Sequence, residues 1–435
     1  MIATAAATTS IARAVAGLDA WLETMRGPGG YGGPVVHWWQ QSLLYTGAGL
    51  DWRYEGIVAG YLALWEHSGD ARWLAKARRA GDDLLAGQSP AGNFAASAFE
   101  INPATAGTPH EAACDVALLL LAVALRRAGN SGWEEYAAAA QRNLEHYYLG
   151  QLWDAVAGSF RDSPAIPSFV PNKAATVCEA FTLLAELTGE DELVERYVLP
   201  NLERILAHQV RGGPLDGAIA QNSFGTRVVA KFFPLYIARC VPALLSGFAW
   251  TRREHYLGAA IRALLFVMRW VGADGALPTV VYPDGRTARY PSWISPLGDV
   301  LRAADALRLY GLAPDTAAIV ARLLAGQTPG GGIATASGFA GQAGGRPGPL
   351  PDFRDLLPVA GWCDKAFRWL AARVAGEPPT VTSVPYETDC VFRGRRLRYR
   401  ETPELLEAYA GRELRYRWCK GAPRPEVARE EFWLR

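Results

Sequence analysis

The sequence predicts an all-α chain: an (α/α)6 toroid of six helical hairpins around a polar central cavity, followed by a small β-containing C-terminal appendage. Three observations predict it. A nearly all-apolar helix recurs at intervals of about sixty residues, the spacing of a repeat architecture. Each such helix is followed by a short turn, glycine-bearing in most cases, and a helix of mixed polarity. One amphipathic helix, about 9–26, is left over at the N-terminus to complete the last hairpin.

The apolar helices are expected to start near Trp52, Pro109, Pro171, Arg227, Trp293 and Phe353. The residues just before them are Asp51, Thr108, Val170, Thr226, Ser292 and Asp352. All but Val170 are side chains that accept a hydrogen bond from the free N–H groups of a first turn. Pro109 and Pro171 suit a first helical position, where no N–H is needed. The turns that follow are 68–70, 128–130, 188–190, 250–252 and 310–312. The second helices are one-sided. In 70–85, Trp73, Leu74, Ala77 and Leu84 share a face, as expected of a helix packed on a surface, whereas helices apolar all round are buried. Each hairpin therefore has an inner and an outer helix.

Longer glycine-rich loops come next. Three carry a related phrase, at Gln88–Phe94, Gln209–Leu215 and Gln327–Ile333, and two keep a glycine before an apolar residue, at Gly158–Phe160 and Gly275–Leu277. Docking helix 9–26 beside helix 353–375 closes the ring. Closure leaves no apolar end exposed, which favours a ring over an open solenoid. The pattern changes from Pro378. Two stretches rich in Val, Tyr, Arg and Phe, separated by Thr402–Tyr409, read as strands, so residues 1–377 are assigned to the toroid and 378–435 to the appendage.

Composition narrows the function. The 435 residues are 50% hydrophobic and 20% charged with a formal net charge of +1, which gives no basic excess for nucleic acid. The N-terminus lacks a signal-peptide pattern. The most apolar stretches, 112–125 and 228–250, are too short or too interrupted by charge and proline to span a bilayer. Six scattered cysteines without a CxxC pair read as free thiols of a cytoplasmic protein, with no metal and no cofactor implied. Fifteen tryptophans suit a cavity that binds a small molecule or an oligosaccharide.

The chemistry is expected where the inner helices begin, since their free N–H groups and dipoles gather at one end of the cavity. Trp52, Arg53, Tyr54 and Glu55 form the densest polar cluster, with Asp51 as cap. Glu55 is either a general acid or base, or an ion-pair partner. Thr108 and Glu111 match a capping box around His110. Asp115, in an apolar run with no cap role, is either a general acid of raised pKa or half of an ion pair with a cation on the next helix. Asn172, Lys173 and Glu179 on the third helix, and Arg227, Lys231 and Arg239 on the fourth after Gln221-Asn222-Ser223, are candidates to hold a substrate carboxylate or to neutralise these acids. Arg53, Glu55, Asp115, Lys173 and Arg227 are expected to converge. Trp38-Trp39 and Phe232-Phe233 offer faces for sugar rings or fill the core.

The hairpin pattern, with Leu64-Trp65-Glu66-His67-Ser68-Gly69-Asp70-Ala71-Arg72-Trp73-Leu74, resembles the six-hairpin glycosidase superfamily over about residues 9–376. That group includes unsaturated glucuronyl hydrolases and sugar 2-epimerases. The resemblance implies a carbohydrate substrate and acid–base chemistry near the inner-helix starts. The Gln…Gly-aromatic phrases also resemble repeats of terpenoid cyclases and prenyltransferase subunits, but neither an AspXaaAspAsp motif nor a zinc set accompanies them. The expected function is a glycoside hydrolase using Glu55 and Asp115. The alternatives are a uronate lyase, with Asn172 or Arg53 on the substrate carboxylate and His110 or Tyr54 as base, a sugar epimerase, a terpenoid cyclase-like toroid, and a non-enzymatic binding protein.

Overall fold

A computed structural model describes residues 2–36, 44–94, 111–165, 167–341, 347–374 and 376–432. Its helices are α1 (Ile2–Thr24), α2 (Arg53–Ser68), α3 (Ala71–Gly87), α4 (Ala112–Arg127), α5 (Trp133–Arg142), α6 (Pro171–Thr188), α7 (Asp191–Leu193), α8 (Leu199–Ala207), α9 (Pro234–Thr251), α10 (Glu254–Arg269), α11 (Leu297–Arg308), α12 (Ala317–Ala325) and α13 (Ala360–Ala371). The inner helices pack in the order α2, α4, α6, α9, α11, α13, and α13 packs back onto α2, so the ring is closed. The outer layer is α3, α5, the α7–α8 segment, α10, α12 and α1. Helix α1 lies against α13 and α12, completing the sixth hairpin as expected.

The hairpin turns follow from local chemistry. Gly69 and Gly189 end α2 and α6 in the left-handed conformation, at φ 71° and 78°. Arg252 takes the same role after α9 at φ 59°, a costlier choice for a residue with a Cβ. Outer helix α3 buries Trp73, Ala77, Ala80, Gly81 and Leu84; of the face read from its sequence, Leu74 stays half-buried.

The glutamine phrases staple the outer layer together. Gln88 Nε2 donates to the carbonyls of Gly92 and of Ala139 in α5, both at 2.7 Å. Gln209 reaches Gly217 and Ala259 of α10, and Gln327 reaches Gly331 and Ala14 of α1 at 2.8 Å each. Each glutamine thus ties its own loop to the next outer helix, and the last tie closes the ring. Gly331 sits at φ +98° against the Gly17 carbonyl, where a Cβ would collide.

Three inner helices start later than their polar residues suggest. Arg227–Val229 is a strand paired with Asn222–Phe224, and α9 begins at Pro234. Ser292–Trp293 pairs with Ala336–Ser337, and α11 begins at Leu297. Asp352 caps a single turn, Phe353–Leu356, and α13 begins at Ala360. The caps of α6, α9 and α13 are Val170, Phe233 and Val359, which make no side-chain cap bond. The second start, at Pro109, lies outside the described residues.

The C-terminal part is an antiparallel sheet of Tyr386–Phe392, Arg395–Glu401, Leu405–Ala410, Glu413–Cys419 and Val427–Ala428, in that order. The segment read as a spacer is itself the middle strand. Phe353 anchors the sheet to the ring by packing on Phe392, Tyr399, Tyr416 and Phe432. Beside it Lys420 Nζ meets Glu401 at 2.7 Å and Thr24 of α1 at 3.4 Å.

Candidate active site at the ring axis

An inner helix is flanked on every side but one, so residues that keep some exposure in mid-helix face the axis. They recur one turn apart: Ala59 and Ala63 on α2, Leu120 and Val123 on α4, Glu179 and Leu183 on α6, Pro242 and Ser246 on α9, Asp299, Arg302 and Ala306 on α11. The same spacing places Trp52 and Glu55, Asn172 and Thr176, Tyr236 and Arg239, and Lys365 and Arg368 on that face. The inner-helix starts carry Trp52, Asn172, Tyr236 and Trp362. One to two turns deeper lies a cluster of charges.

Glu55 is the hub, its side chain 1% exposed. Arg239 from α9 grips it with two bonds, Nη1 to Oε1 at 2.7 Å and Nη2 to Oε2 at 2.6 Å. Arg368 from α13 bonds the same carboxylate, and Arg302 from α11 stands 3.7 Å away. Arg302 also bonds Glu179, Arg368 bonds Asp299 at 2.6 Å, and Thr176 accepts from Arg239 at 3.3 and 3.2 Å. Burial alone would raise the Glu55 pKa, but Arg239 and Arg368, with Lys365 and Arg302, hold it well below the usual carboxylate range. Glu55 is therefore held as an anion at neutral pH. The groups that keep exposure are Arg302 (26%), Glu179 (18%) and Asp299 (13%), so these are the ones a ligand entering the axis meets.

Lys365 links the cluster to the helix starts. Its Nζ donates to the Trp52 carbonyl at 3.1 Å and to Asp364 at 2.7 Å. Burial pushes Asp364 up to about 7 against the pull of Lys365 and Arg368. Asp364 faces the flank of α2 at Gly56, where a Cβ would collide with it. Trp362 packs between Trp52 and Trp293, with centroids at 5.9 and 5.3 Å.

The sequence candidates divide. Glu55 is central, Trp52 and Asn172 stand one turn above the cluster, and Arg239 and Glu179 belong to it. Arg53 is buried with Asp51 at 2.7 Å and donates to the Tyr31 carbonyl, away from the axis. Tyr54 contacts Asp83 of outer helix α3. Lys173 pairs with Asp162 at 2.7 Å in the preceding loop. Arg227 and Lys231 are exposed on the strand and linker before α9 and start no helix, so the expected convergence of Arg53, Asp115, Lys173 and Arg227 with Glu55 does not occur. Phe232 and Phe233 are buried. Glu111 accepts from the Phe94 N–H at 3.3 Å. His110, Thr108 and Trp38-Trp39 lie outside the described residues.

Asp115 is buried and turns outward, between α4 and the outer layer. Its partner is not a cation: Asn143 Nδ2 donates to Asp115 Oδ2 at 2.8 Å. The two Oδ1 atoms, of Asp115 and Asn143, are buried without a hydrogen-bond partner among the described residues. Burial, with a smaller push from Glu111, holds the carboxyl well above its usual range, against the Asn143 bond.

Asp299, Arg302, Lys365 and Arg368 escaped the sequence reading. Their signal was present: charged residues three apart on helices with an apolar face, at 299 and 302 and at 365 and 368. Among the described residues no group of three metal-ligating side chains occurs, and no helix is long and apolar enough to cross a membrane.

No protein-family model matches the chain, and no curated protein matches it. Solved structures do. An unsaturated glucuronyl hydrolase specific for heparin is 13% identical, with 85% of this chain and 96% of that one covered at a TM-score of 0.59. The GH76A α-1,6-mannanase of Salegentibacter sp. HEL1_6 is 13% identical over 84% and 98%, TM-score 0.52. A D-mannose isomerase is 15% identical over 69% and 80%, TM-score 0.52. These likenesses concern architecture: the chain shares the (α/α)6 toroid fold of these structures.

Proposed function

We propose that the chain is a carbohydrate-active enzyme, a glycoside hydrolase whose substrate enters the ring from the inner-helix N-termini. The observation that supports this most is the axial cluster, three carboxylates and three arginines drawn from five of the six inner helices, below a start zone that carries Trp52, Asn172 and Tyr236. A core needs no such cluster, because a buried ion pair is on average no more stable than the apolar packing it replaces. Perturbed charges in a cavity mark functional sites. The fold relatives include two hydrolases whose names state carbohydrate substrates.

In this proposal Glu55 fixes the guanidinium groups, and Glu179 and Asp299 are the carboxylates that reach the substrate, one on each side of the scissile bond. Arg302 and Arg368 hold hydroxyl or carboxylate oxygens. Asp115, facing the outer layer, takes no part. A second reading, uronate lyase or sugar epimerase, is favoured by one feature: every axial carboxylate is paired with an arginine, which suits an anionic base better than an acid.

Turnover of an oligosaccharide and uronide panel by the wild type, Glu179→Gln and Asp299→Asn tests this. Hydrolysis places solvent oxygen in the product, elimination creates an unsaturated uronate, and epimerisation exchanges a carbon-bound hydrogen with solvent. Each variant is expected to lose about two to four orders of magnitude in turnover at unchanged fold. Turnover that survives both substitutions, or a panel left untouched by the wild type, would overturn the proposal.

A further inference from the structure

Asp364 and Lys365 are neighbours in sequence, and neighbours on a helix point about 100° apart. Lys365 takes the axis face of α13. Asp364 takes the flank against α2, where Gly56 leaves the space that its carboxylate fills. The two side chains nevertheless meet, Lys365 Nζ donating to Asp364 Oδ2 at 2.7 Å. The lysine stem is therefore bent back off the axis. Its ammonium ends in the seam between α13 and α2, where it also donates to the Trp52 carbonyl at 3.1 Å. Packing does not call for this arrangement, because a buried ion pair is on average no more stable than the apolar side chains that could replace it. Asp364 is fully buried, and its Oδ1 has no hydrogen-bond partner among the described residues, an added cost. What the pair achieves is the placement of one cation.

We propose that Asp364 is a positioning residue, a latch that holds Lys365 off the axis while it is ionised and releases it to the axis when it takes a proton. This rests on the axis being the substrate site and adds how the charge of that site is set. With Asp364 ionised, Lys365 is neutralised in the seam, and Arg239, Arg302 and Arg368 are matched by Glu55, Glu179 and Asp299. The axis then suits a neutral ring. With Asp364 protonated, the ammonium swings toward Glu55, on which it already acts. The axis gains one cation and suits a sugar carboxylate. Burial pushes Asp364 up to about 7, so both states are populated near neutral pH.

The other charges around Asp364 have partners of their own. On α2, Arg53 is tied to Asp51 and Glu55 to Arg239. On α13, Arg368 bonds Glu55 and Asp299, and burial pushes the Cys363 thiol up. Helix α11 brings Asp299 and Arg302, paired with Arg368 and Glu179. Helix α1 turns Asp19 and Glu23 to Lys76 and Arg79 of α3, and Glu401 of the sheet is paired with Lys420. Asp364 is thus the carboxyl whose charge changes at this seam near neutral pH.

The chain has five lysines, Lys76, Lys173, Lys231, Lys365 and Lys420, so a full-length protein labelled at lysine Cε gives a carbon NMR spectrum simple enough to follow one of them. The Lys365 signal is identified by its loss in Lys365→Arg. In the wild type it is expected to shift through one titration between pH 6 and 8, and in Asp364→Asn to stay flat over that range. Asp364→Ser serves if Asp364→Asn does not fold. A Lys365 signal that ignores pH in the wild type, or that titrates alike in the variant, overturns the latch. The second arm uses methyl β-D-glucuronoside and methyl β-D-glucopyranoside, with binding read by saturation-transfer NMR at pH 6 and pH 8.5. The wild type should bind the uronoside about tenfold more tightly at pH 6 than at pH 8.5, the scale of one added charge in a partly buried site, and the neutral glucoside alike at both. Asp364→Asn should hold the uronoside equally at both pH values. Uronoside binding by the wild type that is indifferent to pH overturns the proposal. A Lys365 titration with neither sugar bound keeps the latch and counts against the carbohydrate reading. Sugars bound beside a Lys365 signal that never moves do the reverse.

Discussion

Asp115→Asn should stabilise this protein, although it replaces a buried, hydrogen-bonded carboxyl. The Asp115 carboxyl meets the Asn143 carboxamide, and the Oδ1 atoms of both are buried without a partner among the described residues. A proton on Asp115 Oδ1 gives both a partner, in the cyclic pair that a carboxyl and a carboxamide form; an asparagine amide does the same at every pH. The native carboxyl therefore holds its proton more tightly than the unfolded chain does, in keeping with its raised pKa. Stability from such a group is full below the ordinary aspartate range and declines as pH rises toward the raised native value. The decline is about 1.4 kcal/mol per pH unit, and the variant escapes it. With an unfolding entropy of roughly 0.9 kcal/mol/K for a chain this long, each pH unit separates the two melting temperatures by about 1.5 °C. Thermal melts of both proteins from pH 4 to 8 read this directly: nearly equal at pH 4, with the variant progressively higher above. A variant that melts lower throughout, or a gap that ignores pH, would refute the pairing. A fall of about a hundredfold or more in turnover at unchanged fold would return Asp115 to the mechanism.

Glu55→Gln should have the opposite effect, costing about 3–5 kcal/mol by leaving Arg239, Arg302 and Arg368 without their shared anion. Because the native Glu55 pKa is depressed, its stabilisation is present above the ordinary glutamate range and lost as pH falls below it; calorimetry between pH 3 and 6 should show that acid limb in the wild type and not in the variant, and identical profiles would count against the hub. Gly331→Ala places a Cβ against the Gly17 carbonyl at φ +98° and should cost about 1–3 kcal/mol from backbone strain alone. Limited proteolysis should then cut α1 first, and a variant as resistant as the wild type would show that the closing contact tolerates a side chain.

The architecture was legible because burial repeats: α2, α4, α6 and α9 are nearly all apolar, and a helix can bury every face only inside a ring or bundle. Helix starts were harder to read. Thr226 and Ser292 have the chemistry of caps but lie in strand and turn segments, while α9 and α13 begin after Phe233 and Val359, which carry no capping group. The cue at the α9 start is Pro234, which needs no N–H partner, rather than a polar side chain. Glu55 was legible as an inward carboxylate, since no cap role explains it. Of its partners Arg239, 184 residues away, stood among the candidate cations, whereas Arg368, 313 residues away, did not, because only ring closure brings it in. Asp115 misled for a related reason: an acid in an apolar helix announces burial, but not which face of the helix it occupies.

The tie between Gln327 and Ala14 spans 313 residues. At about 5–20 residues per second, synthesis leaves α1 waiting roughly 15–60 s for the segment that will cover it. During that interval Val15, Leu18, Trp21 and Leu22, all sealed in the finished ring, have no native partner on α12 or α13. The nascent chain must therefore keep a greasy helix soluble through the making of five hairpins, and an early, non-native docking of that helix is the trap that folding of this topology has to avoid.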